Sequence, residues 1–107
     1  MIIGIPKEIK VRENRVAVVP GAVKLLVAAG HTVLVETQAG KGVGISDDTY
    51  QTSGARVVQT AEEVWFDSQM IMKVKEPIPE EYGLIRPRQI LYTYLHLAAV
   101  PSLTSVL

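Results

Sequence analysis

The sequence contains no cysteine among its 107 residues. This excludes disulfide bonds, thiolate metal ligands and cysteine nucleophiles, and it suits a protein of the reducing cytoplasm. No apolar run approaches the roughly 20 residues that a membrane-spanning helix needs. Neither sign of charge is in excess, because eleven lysines and arginines balance eleven aspartates and glutamates. We therefore expect neither nucleic acid nor a membrane as a partner.

Motifs for nucleotides and metals are also missing. Gly40, Gly42 and Gly44 spell GKGVG, whereas dinucleotide-binding domains carry G-x-G-x-x-G at the start of a helix, and no Walker lysine motif occurs. We interpret these glycines as an ordinary connection, since glycine suits tight turns. No spacing of His, Asp and Glu indicates a metal site. The sequence thus predicts no cofactor-binding and no metal-binding residue within this chain.

Strand-like and helix-like runs alternate along the chain. Strands are predicted over residues 2–5, 32–36, 56–58, 69–74 and 89–94. Helices are predicted between them, with Pro20, Ser46 and Thr60 at their starts and Gly30 and Gly54 after their ends. Such alternation predicts an α/β fold with a doubly wound, mostly parallel sheet and helices on both faces. The length allows one domain at most.

The last predicted helix begins at Pro101 and shows no stop signal before Leu107. A finished helix normally ends in glycine or in a last turn rich in basic residues. We therefore expect the natural chain to continue beyond residue 107.

His96 is the most informative single residue. It lies just beyond the last predicted strand, and ligands of open α/β sheets gather at the carboxyl ends of the strands. Its unperturbed pKa near 6.5 suits acid/base chemistry. A core histidine that is bonded to a backbone carbonyl is an equally open interpretation.

Two upstream cations can reach the same region. Lys73 and Lys75 share one face of a predicted inner strand, and burying both without anions would be costly, so Lys75 is expected at the mouth of the strand. The role of Lys73 stays open. Arg15 carries the planar fork that binds a carboxylate through two hydrogen bonds. The alternatives are a solvated strand end or a weak pair with Glu76 for Lys75, and an exposed loop arginine for Arg15.

Tyrosines and carboxylates have plainer interpretations. Tyr92 and Tyr94 share one strand face, where core packing is the first expectation and a place for Tyr94 beside a ligand is the second. The carboxylates at the predicted helix starts are interpreted as complements to helix dipoles, not as a metal cluster. These carboxylates are Asp47, Asp48, Glu62, Glu63, Glu80 and Glu81.

Seven segments carry a resemblance to a known family. GIPKEIK, ENRVAVVP, GHTVLVE, GARVV, AEEVW, KVKEP and TYLHLAA occur in this order. Together they resemble the amino-terminal part of the alanine dehydrogenase and pyridine nucleotide transhydrogenase family, over nearly the whole chain. TYLHLAA resembles the L-alanine dehydrogenase branch in particular, because transhydrogenase relatives typically lack its histidine.

The resemblance implies a fold and an activity. It implies that residues 1–107 are the amino-terminal part of a substrate-binding domain with flavodoxin-like topology. A Rossmann domain that binds NAD and a return segment that completes the first domain would follow in the same polypeptide. The parent would be a cytoplasmic homohexamer that catalyses the reversible, NAD-dependent oxidative deamination of L-alanine to pyruvate and ammonium in L-alanine catabolism. The chain alone is expected to be inactive.

The resemblance also implies residue roles. Arg15 resembles the clamp for the substrate carboxylate, and Lys75 resembles the second substrate-binding cation. His96 resembles the catalytic acid/base, and Tyr94 resembles a neighbouring wall. An acidic catalytic partner expected in the NAD domain has no counterpart in this chain.

Three interpretations remain open at this point. The chain is an amino-terminal piece of an alanine dehydrogenase, a piece of a transhydrogenase subunit, or a non-catalytic module that binds small carboxylates. His96 argues against the second interpretation. A natural stop after residue 107 together with stable monomeric folding would favour the third.

Overall fold

The structure, a computed structural model, describes residues 1–8, 16–74 and 79–93. Within these ranges, five strands alternate with four α-helices and one 3-10 turn. The strands are β1 (Ile2–Ile5), β2 (Thr32–Glu36), β3 (Arg56–Val58), β4 (Met70–Lys73) and β5 (Ile90–Thr93). The helices are α1 (Pro20–Ala28), α2 (Asp47–Thr52), α3 (Ala61–Asp67) and α4 (Pro79–Tyr82), and the 3-10 turn covers Lys41–Val43. Among the described residues no helix is long and apolar enough to cross a membrane.

Local signals set most helix ends as predicted. Ser46 and Thr60 accept hydrogen bonds from the backbone N–H groups three residues ahead, which satisfies donors that a helix start leaves free. Gly30 and Gly54 follow α1 and α2 with φ angles of 95° and 103°, a region that glycine enters at little cost. The Glu63 carboxylate in turn accepts a hydrogen bond from the Thr60 hydroxyl.

All five strands are parallel, in the order β3-β2-β1-β4-β5. This confirms the predicted α/β class with its parallel sheet. Strands β2, β1, β4 and β5 follow the flavodoxin-like order, and β3 is added outside β2. The complete order also occurs in dinucleotide-binding domains, but the connection between β1 and α1 contains no glycine here. Its sequence therefore lacks the glycine fingerprint of their phosphate-binding turn.

The two faces of the sheet bury separate clusters of side chains, because alternate strand residues point to opposite faces. On one face Ile5, Val33 and Val35 pack with residues of α1 and α2. On the other face Leu34 and Ile71 pack with Val64 and Trp65 of α3. Helices thus cover both faces, as predicted for a doubly wound sheet.

Strand β5 is only partly covered. Leu91 packs on the α3 face, so its neighbours Ile90 and Tyr92 point to the opposite face. Ile90 is 45% exposed and Tyr92 is 38% exposed. The expectation that Tyr92 packs in the core was wrong, because within the described residues no helix lies over this part of the sheet. Tyr94, its predicted companion, lies outside the described residues.

Candidate active site at the carboxyl end of the sheet

The chain adds strands first on one side of β1 and then on the other, and the change occurs between β1 and β4. Successive strands run outward from β1 to β3, after which α3 carries the chain across to β4 on the other side of β1. Connections that leave in opposite directions open a crevice beyond the carboxyl ends of the two strands, where ligands of such sheets bind. The fold therefore points to the ends of β1 and β4 as the candidate site.

The four residues predicted for the site all lie outside the described residues, so their roles stay predictions. They are Arg15, Lys75, Tyr94 and His96. What the structure does describe is the pair of strands that precede three of them. Strands β4 and β5 are parallel neighbours, with Lys73 opposite Thr93. This confirms the prediction that the strands before Lys75 and His96 lie side by side.

The chain on either side of the predicted residues belongs to one cluster. Val16, which directly follows Arg15, is buried in the same group of side chains as Val74, which directly precedes Lys75. Ile5, the last residue of β1, belongs to this group as well. Packing on the α1 face thus fixes the described ends of two segments that carry predicted site residues.

A buried ionic network lies at the reversal point. The Lys73 ammonium is 3.2 Å from Glu8 Oε1 and 3.2 Å from Glu81 Oε2, and none of the three side chains is more than 5% exposed. The second Glu8 oxygen accepts a hydrogen bond of 3.1 Å from the Val74 amide. The network therefore joins the segment after β1 to the end of β4 and to α4.

Sequence reasoning missed this network. We interpreted Glu81 as a complement to the dipole of α4, and that interpretation was wrong because its side chain is buried against Lys73. The cost of burying a lysine without an anion was a usable signal. It could not identify the partners, because Glu8 is 65 positions away along the chain.

Glu36, at the end of β2, adds a further carboxylate to the same end of the sheet. Its Oε1 accepts a hydrogen bond of 2.9 Å from the Lys7 amide. Burial raises the pKa of Glu36, and the nearby Glu62 and Glu81 charges also raise it, against the lowering effects of the Lys7 amide and charge. The half-buried carboxyl group therefore holds the chain just before Glu8 in place.

The connection between β2 and α2 is also held by a carboxylate. Asp47 accepts hydrogen bonds from the Thr37 hydroxyl at 2.6 Å and from the Gln38 amide at 2.8 Å. This turn borders an open groove of about 400 Å³. The GKGVG segment forms the 3-10 turn beside it, which agrees with its interpretation as a connection. No group of three or more potential metal ligands occurs in the part of the chain that the structure describes.

Comparison with known proteins agrees with the fold and with the sequence motifs. The model of the family described as "Alanine dehydrogenase/PNT, N-terminal domain" matches residues 4–107. The chain belongs to this family. The chain spans less than a third of the length of the curated relatives it matches.

Two curated relatives in this family carry the same name. The chain is 54% identical to "Alanine dehydrogenase" of Bacillus subtilis (strain 168), over 100% of this chain and 28% of the relative. It is 51% identical to "Alanine dehydrogenase" of Methanococcus maripaludis, over 100% of this chain and 29% of the relative.

Solved structures of both branches of the family share the fold. A structure titled "L-ALANINE DEHYDROGENASE" superposes with a TM-score of 0.90 at 53% identity, covering 99% of this chain and 29% of that one. A transhydrogenase from Sinorhizobium meliloti superposes with a TM-score of 0.87 at 31% identity, covering 99% of this chain and 31% of that one. Both structures thus share the fold of this chain, but the alanine dehydrogenase is much more similar to it in sequence than the transhydrogenase is.

Proposed function

We propose that the chain is the amino-terminal part of the substrate-binding domain of an NAD-dependent L-alanine dehydrogenase. The reaction converts L-alanine, NAD⁺ and water into pyruvate, ammonium, NADH and a proton, and it is reversible. The observation that carries this proposal is the 54% identity over the whole chain to an alanine dehydrogenase, against 31% to a transhydrogenase. The proposed parent is cytoplasmic and a homohexamer, as the family resemblance implies.

The geometry of the sheet supports a substrate site at its carboxyl end. Strands β1, β4 and β5 are consecutive neighbours, and the segments that follow them contain Arg15, Lys75 and His96. Parallel strands bring their carboxyl ends to one end of the sheet. Three residues that are far apart in sequence therefore lie on segments that start from adjacent points of the sheet.

The proposed roles follow from the chemistry of pyruvate, which offers a carboxylate and a carbonyl group. The Arg15 guanidinium can hold the carboxylate through two parallel hydrogen bonds. A cation such as Lys75 polarises the carbonyl oxygen and stabilises the negative charge that develops on it. His96 can give or take the proton as the carbonyl, carbinolamine and imine forms interconvert. Tyr94 would form a wall of the same cavity.

The described residues do not fit the cofactor. They contain no glycine fingerprint at a strand-to-helix turn, and GKGVG forms a 3-10 turn rather than the start of an α-helix. NAD, which accepts the hydride, is therefore proposed to bind another part of the same polypeptide. For this reason we expect purified residues 1–107 to show no alanine-dependent formation of NADH.

The test uses the full-length protein and the two histidines of residues 1–107. His96→Ala should lower kcat by roughly 10²–10⁴-fold, the usual scale for the loss of a general acid or base. His31→Ala is the matched control, because His31 lies before β2 at the opposite end of the sheet and should leave kcat unchanged. An unchanged kcat in His96→Ala would refute the catalytic role.

A second variant tests the proposed clamp. Arg15→Lys keeps the charge, but an ammonium cannot reproduce the two-point fork of a guanidinium. The KM for pyruvate should rise while NADH binding stays as in the parent. Equal pyruvate KM values in variant and parent would count against the clamp. Absence of alanine-dependent NADH formation in the full-length parent would remove the whole proposal and favour a non-catalytic module or a transhydrogenase piece.

A further inference from the structure

Glu8, Lys73 and Glu81 form an ionic network that has no role in the proposed reaction. Their charged atoms lie 3.2 Å apart in two ion pairs, and the side chains are almost fully buried. A buried group of ions is weak evidence for a contribution to stability, because apolar side chains of similar size often serve stability equally well. Stability alone therefore does not explain why these three ions are buried together.

Its members lie at the bases of two segments that carry proposed substrate ligands. Glu8 is the last described residue before the segment that contains Arg15, and Lys73 lies two positions before Lys75. Glu81 lies beyond the far end of the segment that contains Lys75. The ion pair between Lys73 and Glu81 thus joins described residues on either side of that segment, and Glu8 joins both to the chain after β1.

Glu8 is the centre of this arrangement because both of its oxygens are used. Oε1 accepts from the Lys73 ammonium at 3.2 Å, and Oε2 accepts from the Val74 amide at 3.1 Å. An ionised carboxylate is suited to this task, since both oxygens accept and neither donates. The Val74 residue that it holds is the direct neighbour of Lys75.

We propose that Glu8 is a positioning residue of the substrate site, which sets the place of Lys75 relative to the segment of Arg15. The inference rests on the function proposed above. Glu8 acts through the Lys73 side chain and the Val74 backbone and does not need to touch the substrate. A displacement of about 1 Å in a binding group can lower the rate by about 10²-fold, so a loss of this anchor should be felt at the substrate and not at the cofactor.

The decisive variant is Glu8→Gln in the full-length protein. A glutamine amide has one accepting oxygen, and its NH₂ group only donates. It can therefore serve Lys73 or Val74, and it presents a donor to the partner that it fails to serve. We expect the KM for pyruvate to rise by about 10- to 100-fold, the scale of a hydrogen bond that involves a charged group. The Kd for NADH should stay unchanged.

Glu36→Gln is the matched control at the same end of the sheet. Glu36 uses one oxygen to accept from the Lys7 amide, and a glutamine oxygen can keep that bond. The same chemical change, made where the geometry survives it, should leave the pyruvate KM as in the parent.

The outcomes separate this inference from the proposed function. No alanine-dependent NADH formation in the parent would refute the proposed function itself. An active parent with an unchanged pyruvate KM in Glu8→Gln, or with pyruvate KM and NADH Kd rising together, would overturn the positioning role alone. If Glu8→Gln does not fold, Glu8→Asp decides on the same two readouts, because its shorter arm keeps the charge but cannot reach both partners. A rise in pyruvate KM alone supports the inference, and any other result overturns it.

Discussion

Replacing Lys73 with methionine should destabilise the sheet strongly at neutral pH. Methionine fills a similar volume but leaves two buried carboxylates, Glu8 and Glu81, without their shared cation. Each carboxylate oxygen is 3.2 Å from Nζ, so the two oxygens lie within about 6.4 Å of each other, twice that distance. At an effective dielectric constant of about 20, two charges at this separation repel by about 2.6 kcal/mol or more.

Desolvation adds to this repulsion, because both carboxylates lose a hydrogen-bond donor. Removal of one partner from a buried ion pair typically costs about 3–5 kcal/mol. Such a loss is a large fraction of the about 5–15 kcal/mol by which domains are stable. We therefore expect the free energy of opening at β1 and β4 to fall by about 3–5 kcal/mol near pH 7.

Native-state hydrogen exchange measures this directly. The amides of β1 and β4 report the free energy of opening for this sheet, whatever further domains the protein has. A triple variant, Lys73→Met with Glu8→Gln and Glu81→Gln, serves as the control, because it removes the uncompensated charges and should regain part of the loss. A loss below about 1 kcal/mol, the size of an ordinary neutral hydrogen bond, would refute the reasoning.

Three further predictions concern the fold around the site. Gly4→Ala should lower the free energy of unfolding by about 1–3 kcal/mol, because a Cβ at this position would overlap the side chains of α3 and Ser68. Gly21→Ala is the control and should be neutral or stabilising, because a Cβ there meets nothing within 4 Å. Denaturant midpoints measure the difference between the two variants. Tyr50→Phe should lower stability by about 1–3 kcal/mol in the same assay, because the buried Val18 carbonyl loses its hydrogen-bond donor. Spectroscopic titration of the parent should place the pKa of Tyr50 at about 12, because the ring is buried. Glu36→Gln should become more stable relative to the parent as the pH rises above the ordinary glutamate range. The reason is that burial raises the pKa of Glu36, so the folded parent gives up its proton at a higher pH than the unfolded chain does. Unfolding curves at several pH values would show a constant difference in stability if burial did not raise that pKa.

Local patterns in the sequence were sufficient for most elements of the fold. Residues 2–5, 32–36 and 56–58 were predicted as strands with the bounds that the structure has. Caps and stop signals act within one turn of a helix, and runs of β-branched and apolar residues favour strands without reference to distant residues. The α/β class followed because strands that alternate with helices must pair in parallel.

The strand order needed the tertiary structure. Alternation of strands and helices is compatible with several strand orders. No local sequence pattern predicts that β3 lies at the edge of the sheet or that β1 pairs with β4. Exposure of Tyr92 has the same origin, because burial of a strand face depends on which helix lies over it. The tyrosine has the same local sequence whether that helix is present or not.

The candidate site, too, was predicted in part from the sequence and in part needed the tertiary structure. The sequence alone placed Arg15, Lys75 and His96 beyond predicted strands and supplied the motifs by which the family was identified. Only the tertiary structure showed that Lys73 is buried between Glu8 and Glu81. Burying an ammonium demands an anion, which a sequence can state as a requirement. Which anion meets the requirement depends on chain segments 65 positions apart coming together, and that is decided by the packing of the whole sheet.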